Sequence, residues 1–505
     1  MELNLQRKTV ACYHKVYAGT LRKETEHEAV VPDTLPDISC ILSTEGTLLI
    51  RSKEIRDGSI HVEASMPVSV IYCPDGERRV CVLRFSVPVS FHGDCEGVTQ
   101  DCKCSVRLVL KALESRMANP RKVCTAAVAE AQIRCYAAGE ELSLSPSAEP
   151  TAGIHLLPRE TEIGIVCCVT EKTFILTDEF VLSPEAVPIH EILGQSVEFR
   201  TEELRPAGNK LIVKGTACSR ILYCSEDFRT AAAEFETPFS QIIDTECDTE
   251  NAFAQLEYLI SGLYFDVSPS YDSRSVKLEA HAAMQLRLCR NEALQYIADA
   301  YSNSYTVKTE RAQRAAERIG REISLQQTLK SRLDAPEQLS GILACRMEID
   351  CAECSGASVN LSVSARIYGL DGSGTFCVLR KNLPLTVSAQ FAPGERLSVS
   401  SMCLNGQSAS PDGDGITLSC TAEVNCLVCS ANEIESITEI SYEVSEPGEE
   451  VLLKPSLVIL RARSRDDLWT IAKENGSSVE AIMEANGLDA LAGEWEKLLL
   501  IPRAE

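Results

Sequence analysis

The sequence predicts a mainly β protein: three tandem antiparallel β-sandwich-like units followed by a small β-α-α-β module. Three observations carry this expectation. One motif recurs with the same internal spacing, its residues alternate apolar and polar with period two, and helical spacing replaces that alternation only near the carboxyl terminus.

The repeat comes first. "ILSTEGTLLIRSKEIRDGSIHVEASMPVSVIYC" begins at Ile41 and "ILGQSVEFRTEELRPAGNKLIVKGTACSRILYC" at Ile192, so Ile41 to Tyr72 and Ile192 to Tyr223 both span 31 residues without a gap. A third copy is clearest behind its tyrosine: Tyr72, Asp75-Gly76, Cys81-Val82-Leu83-Arg84 and Pro88 recur as Tyr368, Asp371-Gly372, Cys377-Val378-Leu379-Arg380 and Pro384. One extra residue before Ile367 reads as a β-bulge. Ile342 to Tyr368 is only 26 residues, which predicts a trimmed first hairpin, and in the second copy Pro238 comes one residue early.

Each copy reads as β-structure. In "SIHVEASMPVSVIY" the residues Ile60, Val62, Ala64, Met66, Val68 and Val70 share one face, with His61, Glu63, Ser65 and Ser69 opposite. "PDGE", "PAGN" and "LDGSG" supply turns, and "CSVRLVLKAL", "SVKLEAHAAMQLRL" and "ITLSCTAEVNCLV" supply later strands. At 505 residues the chain exceeds one ordinary core. The expected domains are 1–145, 146–305 and 306–445, then an acidic, Pro-containing linker over 446–456 and the terminal module over 457–505. The stretch from Asp299 to Gly320 reads equally as a helix or as a long strand entering the third unit.

In the terminal module Asp467 caps a helix whose Leu468, Ile471 and Ala472 share a face. Ser477 and Glu480 have capping-box spacing ahead of Ile482, Met483 and Ala485, and Asn486-Gly487 supplies a left-handed stop. "LVILRAR" and "KLLLIP" are strands on either side of the two helices.

Through "DLWTIA", "ANGL" and "KLLLIP" this module resembles a LysM domain. In that family the loops before the first helix and before the last strand bind N-acetylglucosamine polymers. That resemblance implies a binding site at Asp466, Asp467, Asn486, Glu494 and Trp495, for a partner protein or a glycan. Arg465-Asp466-Asp467 and Glu494-Trp495 stand where the family has Gly-Asp-Thr and Pro-Gly, and a side chain in place of Gly obstructs close backbone approach to a sugar. Trp495 reads either as a stacking or anchoring indole or as a cover for the small core, whereas Trp469 reads as structural.

The β repeats with "LPDISCIL", "ILYC" and "DAYS", together with the LysM-like module, resemble the SPOCS/LysM proteins of spore-forming bacteria. The resemblance implies a mother-cell cytoplasmic scaffold at the forespore surface. Its LysM module would dock on the coat ATPase, stage IV sporulation protein A, while its SPOCS units would contact other spore-coat proteins. The alternative is a peptidoglycan-binding protein.

Charge and cysteine usage agree with a cytosolic setting. Asp and Glu number 73 against 49 Lys and Arg, a formal charge of −24, which disfavours nucleic acid and anionic membrane or simply keeps the chain soluble. Ten acidic residues and no Lys or Arg lie between Leu397 and Leu453. The start lacks the apolar core of a signal peptide, and no apolar run approaches the ~20 residues that span a bilayer. The 23 cysteines lack the spacing of a disulfide scaffold.

No enzyme signature is complete, and neither catalysis nor a cofactor is expected. "HEILG" at His190 lacks the second histidine of a zinc protease, and no phosphate-cradling GxxxxGK[ST] occurs. Two pairs, Cys351 with Cys354 and Cys426 with Cys429, are the thiolate candidates for a structural zinc. Strand geometry puts Cys426 and Cys429 on opposite faces. His14, His27, His92 and His155 have no ligand partner nearby in sequence.

Overall fold

The computed structural model describes residues 3, 5–75, 79–146, 153–268, 272–334, 339–372, 374–390, 392, 394–413, 415–444, 456–461, 467–488 and 498–503. One strand order occurs three times. Unit 1 holds β1 (Leu5–Val30), β2 (Ile38–Gly46), β3 (Leu49–Arg56), β4 (Ser59–Pro74), β5 (Cys81–Asp94), β6 (Lys103–Asn119) and β7 (Lys122–Pro146). Unit 2 holds β8 (Ile154–Val181), β9 (Glu191–Pro206), β10 (Lys210–Cys224), β11 (Thr230–Asp244), β12 (Phe253–Ser268) and β13 (Ser275–Ser302). Unit 3 holds β14 (Tyr305–Asp334), β15 (Leu339–Ser355), β16 (Ser358–Asp371), β17 (Phe376–Ser388), β18 (Glu395–Asp412) and β19 (Gly415–Val444).

In each unit the first and last strands pair antiparallel as one long hairpin, β1 with β7, β8 with β13 and β14 with β19. Of the strands between them, β6, β12 and β18 pair with the hairpin's last strand, and the others form a small sheet, β2/β3-β4-β5, β9-β10-β11 or β15-β16-β17. A 30-residue strand such as β14 extends roughly 100 Å. The stretch from Asp299 to Gly320 is therefore strand throughout, apart from the turn at Asn303 and Ser304.

The small sheet packs on its own hairpin. Ile60, Val62, Ala64, Met66, Val68 and Val70 of β4 are all buried against Val106, Leu113, Ala129, Ala131 and Ile133 of β6 and β7, the face that the alternation predicts. Pro88, Pro238 and Pro384 lie on β5, β11 and β17, the outer strands of the small sheets, where a missing N–H breaks no inner ladder. The hairpin of β15 and β16 turns at Gly356, closer to Tyr368 than Gly208 is to Tyr223, as the reduced spacing predicts, but β15 runs on to Leu339, so the ladder as a whole is not trimmed.

The three units close a ring in which β5 neighbours β9, β11 neighbours β15 and β17 neighbours β2. At its centre alternation stops: Val70-Ile71-Tyr72, Ile221-Leu222-Tyr223 and Ile367-Tyr368 are buried on consecutive positions. Tyr72 and Tyr223 point into their own cores, while Ile71 and Leu222 meet Tyr368 and Phe376 between the units. The third unit differs because β16 carries the extra residue. That residue is not a bulge in the ladder to β17, which runs without a break from Ser358↔Ser388 to Leu370↔Phe376. It shifts register instead, so Tyr72 pairs with Cys81 but Tyr368 with Val378, and a one-residue shift exchanges the two faces. Ile367 takes the inner place and Tyr368 the junction.

Polar ties surround this plug. Arg84 Nη1 donates to Glu191 Oε1 of unit 2 at 3.0 Å, and Arg380 Nη2 donates to the Thr44 carbonyl of unit 1 at 3.0 Å. Arg366 Nη1 of unit 3 lies 2.7 Å from Oε2 of Glu45 in unit 1, whose other oxygen accepts from Ser43. Glu45 is buried, so Arg366→Met strands a carboxylate away from water. A loss of about 3–5 kcal/mol is expected, read as a lower urea midpoint. Adding Glu45→Leu to Arg366→Met is expected to restore most of it.

Candidate functional site

The terminal module consists of β20 (Leu457–Arg461), α1 (Leu468–Asn475), α2 (Val479–Asn486) and β21 (Leu498–Pro502). Asp467 caps α1, its side chain accepting from the Trp469 N–H at 3.2 Å, and Gly476 ends the helix at φ 63°. Ser478 caps α2 by accepting from Ala481 N at 3.0 Å, and Gly487 ends it at φ 60°. The cap is thus one residue later than the expected Ser477, whose side chain is buried and turned toward the Pro502 carbonyl. Asn486 ties α2 to β21: its Oδ1 accepts from Leu500 N at 2.7 Å and its Nδ2 donates to the Leu500 carbonyl at 2.6 Å.

Of the residues expected to bind, Asp467 and Asn486 thus have local structural partners, and Asp467 remains exposed. Asp466, Glu494 and Trp495 lie outside the described residues.

The module is seated on the turn between β13 and β14. Its core of Leu468, Ile471, Ala472, Val479, Ile482, Leu499 and Ile501 is completed by Tyr301 of β13. Tyr301 donates from its hydroxyl to the Ser477 carbonyl at 3.0 Å, as Asn303 Nδ2 does at 3.2 Å, and its ring meets Trp469 edge-on at 4.8 Å. Asp299 gathers three donors: Trp469 Nε1 at 2.9 Å, Lys473 Nζ at 2.6 Å and Arg311 Nη2 at 3.0 Å. A register shift between Ile297 and Asp299 re-aims β13 just ahead of this carboxylate. Burial acts to raise the Asp299 pKa, but the Lys473 ammonium and Trp469 indole outweigh it and hold the carboxyl below its usual range.

The other side of the module is uncovered. β20 and β21 turn Val458, Leu460, Leu499 and Ile501 inward, while Leu457, Ile459, Leu498 and Leu500 are exposed on the outer face. A two-stranded sheet that is apolar on both faces is unusual outside an interface. The sequence signal is the unbroken apolar run in "LVIL" and "LLLI", which on a strand puts apolar side chains on both faces.

Elsewhere the polar groups pair with one another. A cavity of about 370 Å³ between the units is lined by Lys53, Arg134, Tyr136, Glu171, Glu257 and Arg287. Lys53 pairs with Glu171, Arg134 with Glu257, and Arg287 bonds Tyr136 and Gln255. The four thiolate candidates do not converge. Cys426 and Cys429 enter different clusters on opposite faces of β19, Cys351 is half-buried, and Cys354 is exposed on β15. No disulfide joins the cysteines of the described residues. The cluster of metal-ligating side chains found among the described residues is instead Cys12, His14 and Glu141. This corrects the expectation that His14 has no ligand partner nearby: Cys12 lies two residues away on the same strand face, and the pairing of β1 with β7 brings Glu141 to both.

Comparison with known families now identifies the parts. The family model described as "SipL, SPOCS domain" matches residues 37–118 and 188–268, and the LysM domain model matches residues 461–491. The chain therefore carries two SPOCS domains and a LysM domain; unit 3 lies outside both matches while repeating their strand order. No curated protein and no solved structure gives a match. The two domain types suggest a non-enzymatic, sporulation-associated protein with a capacity for glycan binding. No helix among the described residues is long and apolar enough to cross a membrane.

The Asp299 seat is testable in a Trp495→Phe background, where Trp469 is the sole indole. Asp299→Asn is expected to weaken docking by about 1–2 kcal/mol, seen as changed Trp469 emission. Because the folded pKa is depressed, this contribution is complete above the ordinary carboxyl pKa of about 3.9. It disappears as pH falls through the depressed value, so the native emission is expected to persist at neutral pH and to change only in acid.

Proposed function

We propose that this chain is a non-enzymatic scaffold of the bacterial spore envelope, acting in the mother cell at the forespore surface. Its LysM module docks on the coat ATPase, stage IV sporulation protein A, and its SPOCS units contact other coat proteins. The observation that carries the docking step is the exposed apolar face of Leu457, Ile459, Leu498 and Leu500. Apolar side chains offer a protein partner desolvation energy, on the order of 1–3 kcal/mol for each one fully covered. They offer nothing to the hydroxyl groups of a sugar.

Asp466, Asp467, Asn486, Glu494 and Trp495, the positions that the LysM resemblance singles out, are proposed to take part in the same contact. The LysM match favours a second reading, in which those loops bind an N-acetylglucosamine polymer. Tethering supports the scaffold in either case. Several modest interfaces on one chain raise one another's effective concentration, so a lattice can be bridged without catalysis.

Purified full-length chain is to be tested by pull-down on stage IV sporulation protein A and, separately, on insoluble peptidoglycan. Retention by the protein and not by the glycan is expected, and retention by glycan alone overturns the proposal. Ile459→Ser and Leu500→Ser are each expected to weaken partner binding about tenfold or more while thermal unfolding of the module changes little.

A further inference from the structure

We propose that Cys12, His14 and Glu141 form a zinc site at the point where the three long hairpins meet. One candidate ligand atom from each, Sγ, an imidazole nitrogen and a carboxylate oxygen, lies within 4.8 Å of the others. The thiol sulfur is 3.5 Å from Nε2 of His14. Zn–S of about 2.3 Å and Zn–N of about 2.0–2.1 Å at a tetrahedral angle place sulfur and nitrogen about 3.5 Å apart, so these two atoms already stand at the separation of a shared zinc. The donor set also selects the metal: one soft thiolate, one imidazole and one carboxylate suit Zn²⁺ rather than Mg²⁺ or Ca²⁺, which take oxygen alone.

The backbone explains the convergence. Residues two apart on a strand share a face, which puts Cys12 and His14 together on β1. In the ladder to β7, Cys12 faces Gly139, His14 faces Ala137 and Val10 faces Glu141. Gly139 leaves the room that the imidazole occupies: a Cβ there would stand 2.2 Å from Cδ2 and 2.7 Å from Nε2 of His14. The histidine ring therefore lies back over Gly139, toward Cys12 and the carboxylate beyond it.

The surroundings suit a three-ligand site open on one side. Cys12 is buried among Ile163, Ile165, Leu294 and Ile434 of units 2 and 3, whereas His14 is exposed, leaving a fourth position for water. Arg314 of β14 donates to Oε2 of Glu141, and a carboxylate has lone pairs enough to hold a guanidinium and a metal together. Arg314 then acts as the outer partner that orients the ligand, and through it the ion ties unit 1 to unit 3.

Full-length protein is to be stripped with a chelator, reloaded with Zn²⁺ or Co²⁺, dialysed and assayed for metal content and for thiolate-to-cobalt charge-transfer absorption. The remaining cysteines make the difference between variants the decisive quantity. Cys12→Ser, His14→Ala and Glu141→Gln are each expected to bind one equivalent fewer than the parent, and Cys12→Ser to lose charge-transfer intensity. The His14 and Glu141 changes are expected to weaken binding more than about 100-fold, beyond the usual cost of losing an outer partner, and Arg314→Ala about tenfold. His14 is exposed, so His14→Ala keeps the test valid if Cys12→Ser unfolds. Unchanged stoichiometry and affinity in a folded His14→Ala protein overturns the site, as does a parent that retains no metal.

Discussion

The junction of Ile71, Leu222 and Tyr368 is the contact on which the remaining architecture depends. A small sheet that covers one hairpin has a spare outer face, and over most of its length that face is polar. Near the tyrosine of each copy, neighbouring positions along the middle strand of the small sheet become buried on both sides. Three such patches cover one another when the units close a ring, which removes from water apolar surface that no single unit could hide. The long hairpins meet around this closure too: their ladders share the pairs Tyr13↔Val166 and Ile297↔Ile437, and apolar clusters about Ile163, Ile297 and Ile434 fill the contact.

Apolar contact is non-directional, and three similar units could meet in more than one order. The charges supply direction. Arg84 reaches unit 2, Arg380 reaches unit 1, and Glu234 holds the same repeat position in unit 2, where it pairs with Arg220 at 2.8 Å. A buried pair such as Arg366 with Glu45 gives little net stability over an apolar pair, but misplacing either partner is costly, so it penalises the wrong neighbour. The register shift at Tyr368 contributes in the same way, since it makes the third unit's surface unlike the other two.

Much of this was legible because period two is a strict code. The inner face of β4 and the three copies all follow from alternation and spacing. The segment after Asp299 was not legible: "ERAQRAAERIG" is rich in good helix formers, and pairing with β19 overrides that local preference. The extra residue near Ile367 was visible, but whether it bulges or shifts register depends on the ladder to β17. The helix stops and the Asp467 cap were readable from residue type, whereas Ser477 and Ser478 offer the same hydroxyl and only packing against Pro502 separates them. The Cys12–His14 pair was missed because two residues at i and i+2 are ordinary on any strand, and the third member, Glu141, joins them only through a pairing between opposite ends of the unit.

The LysM module shows how function and folding constrain each other. So small a module has little core, and this one borrows Tyr301 to complete it. Because Trp469 and Lys473 are both held by Asp299, the module cannot turn freely relative to the long hairpin. The seat uses α1 and the turn before α2, which leaves the outer face of β20 and β21 uncovered. A partner that covers Ile459 and Leu500 thus meets a surface already oriented by the ring, and loses less orientational freedom than it would with a module on a loose tether. The same arrangement separates two tasks within one small fold: its helices serve the chain, and its sheet is free to serve the assembly.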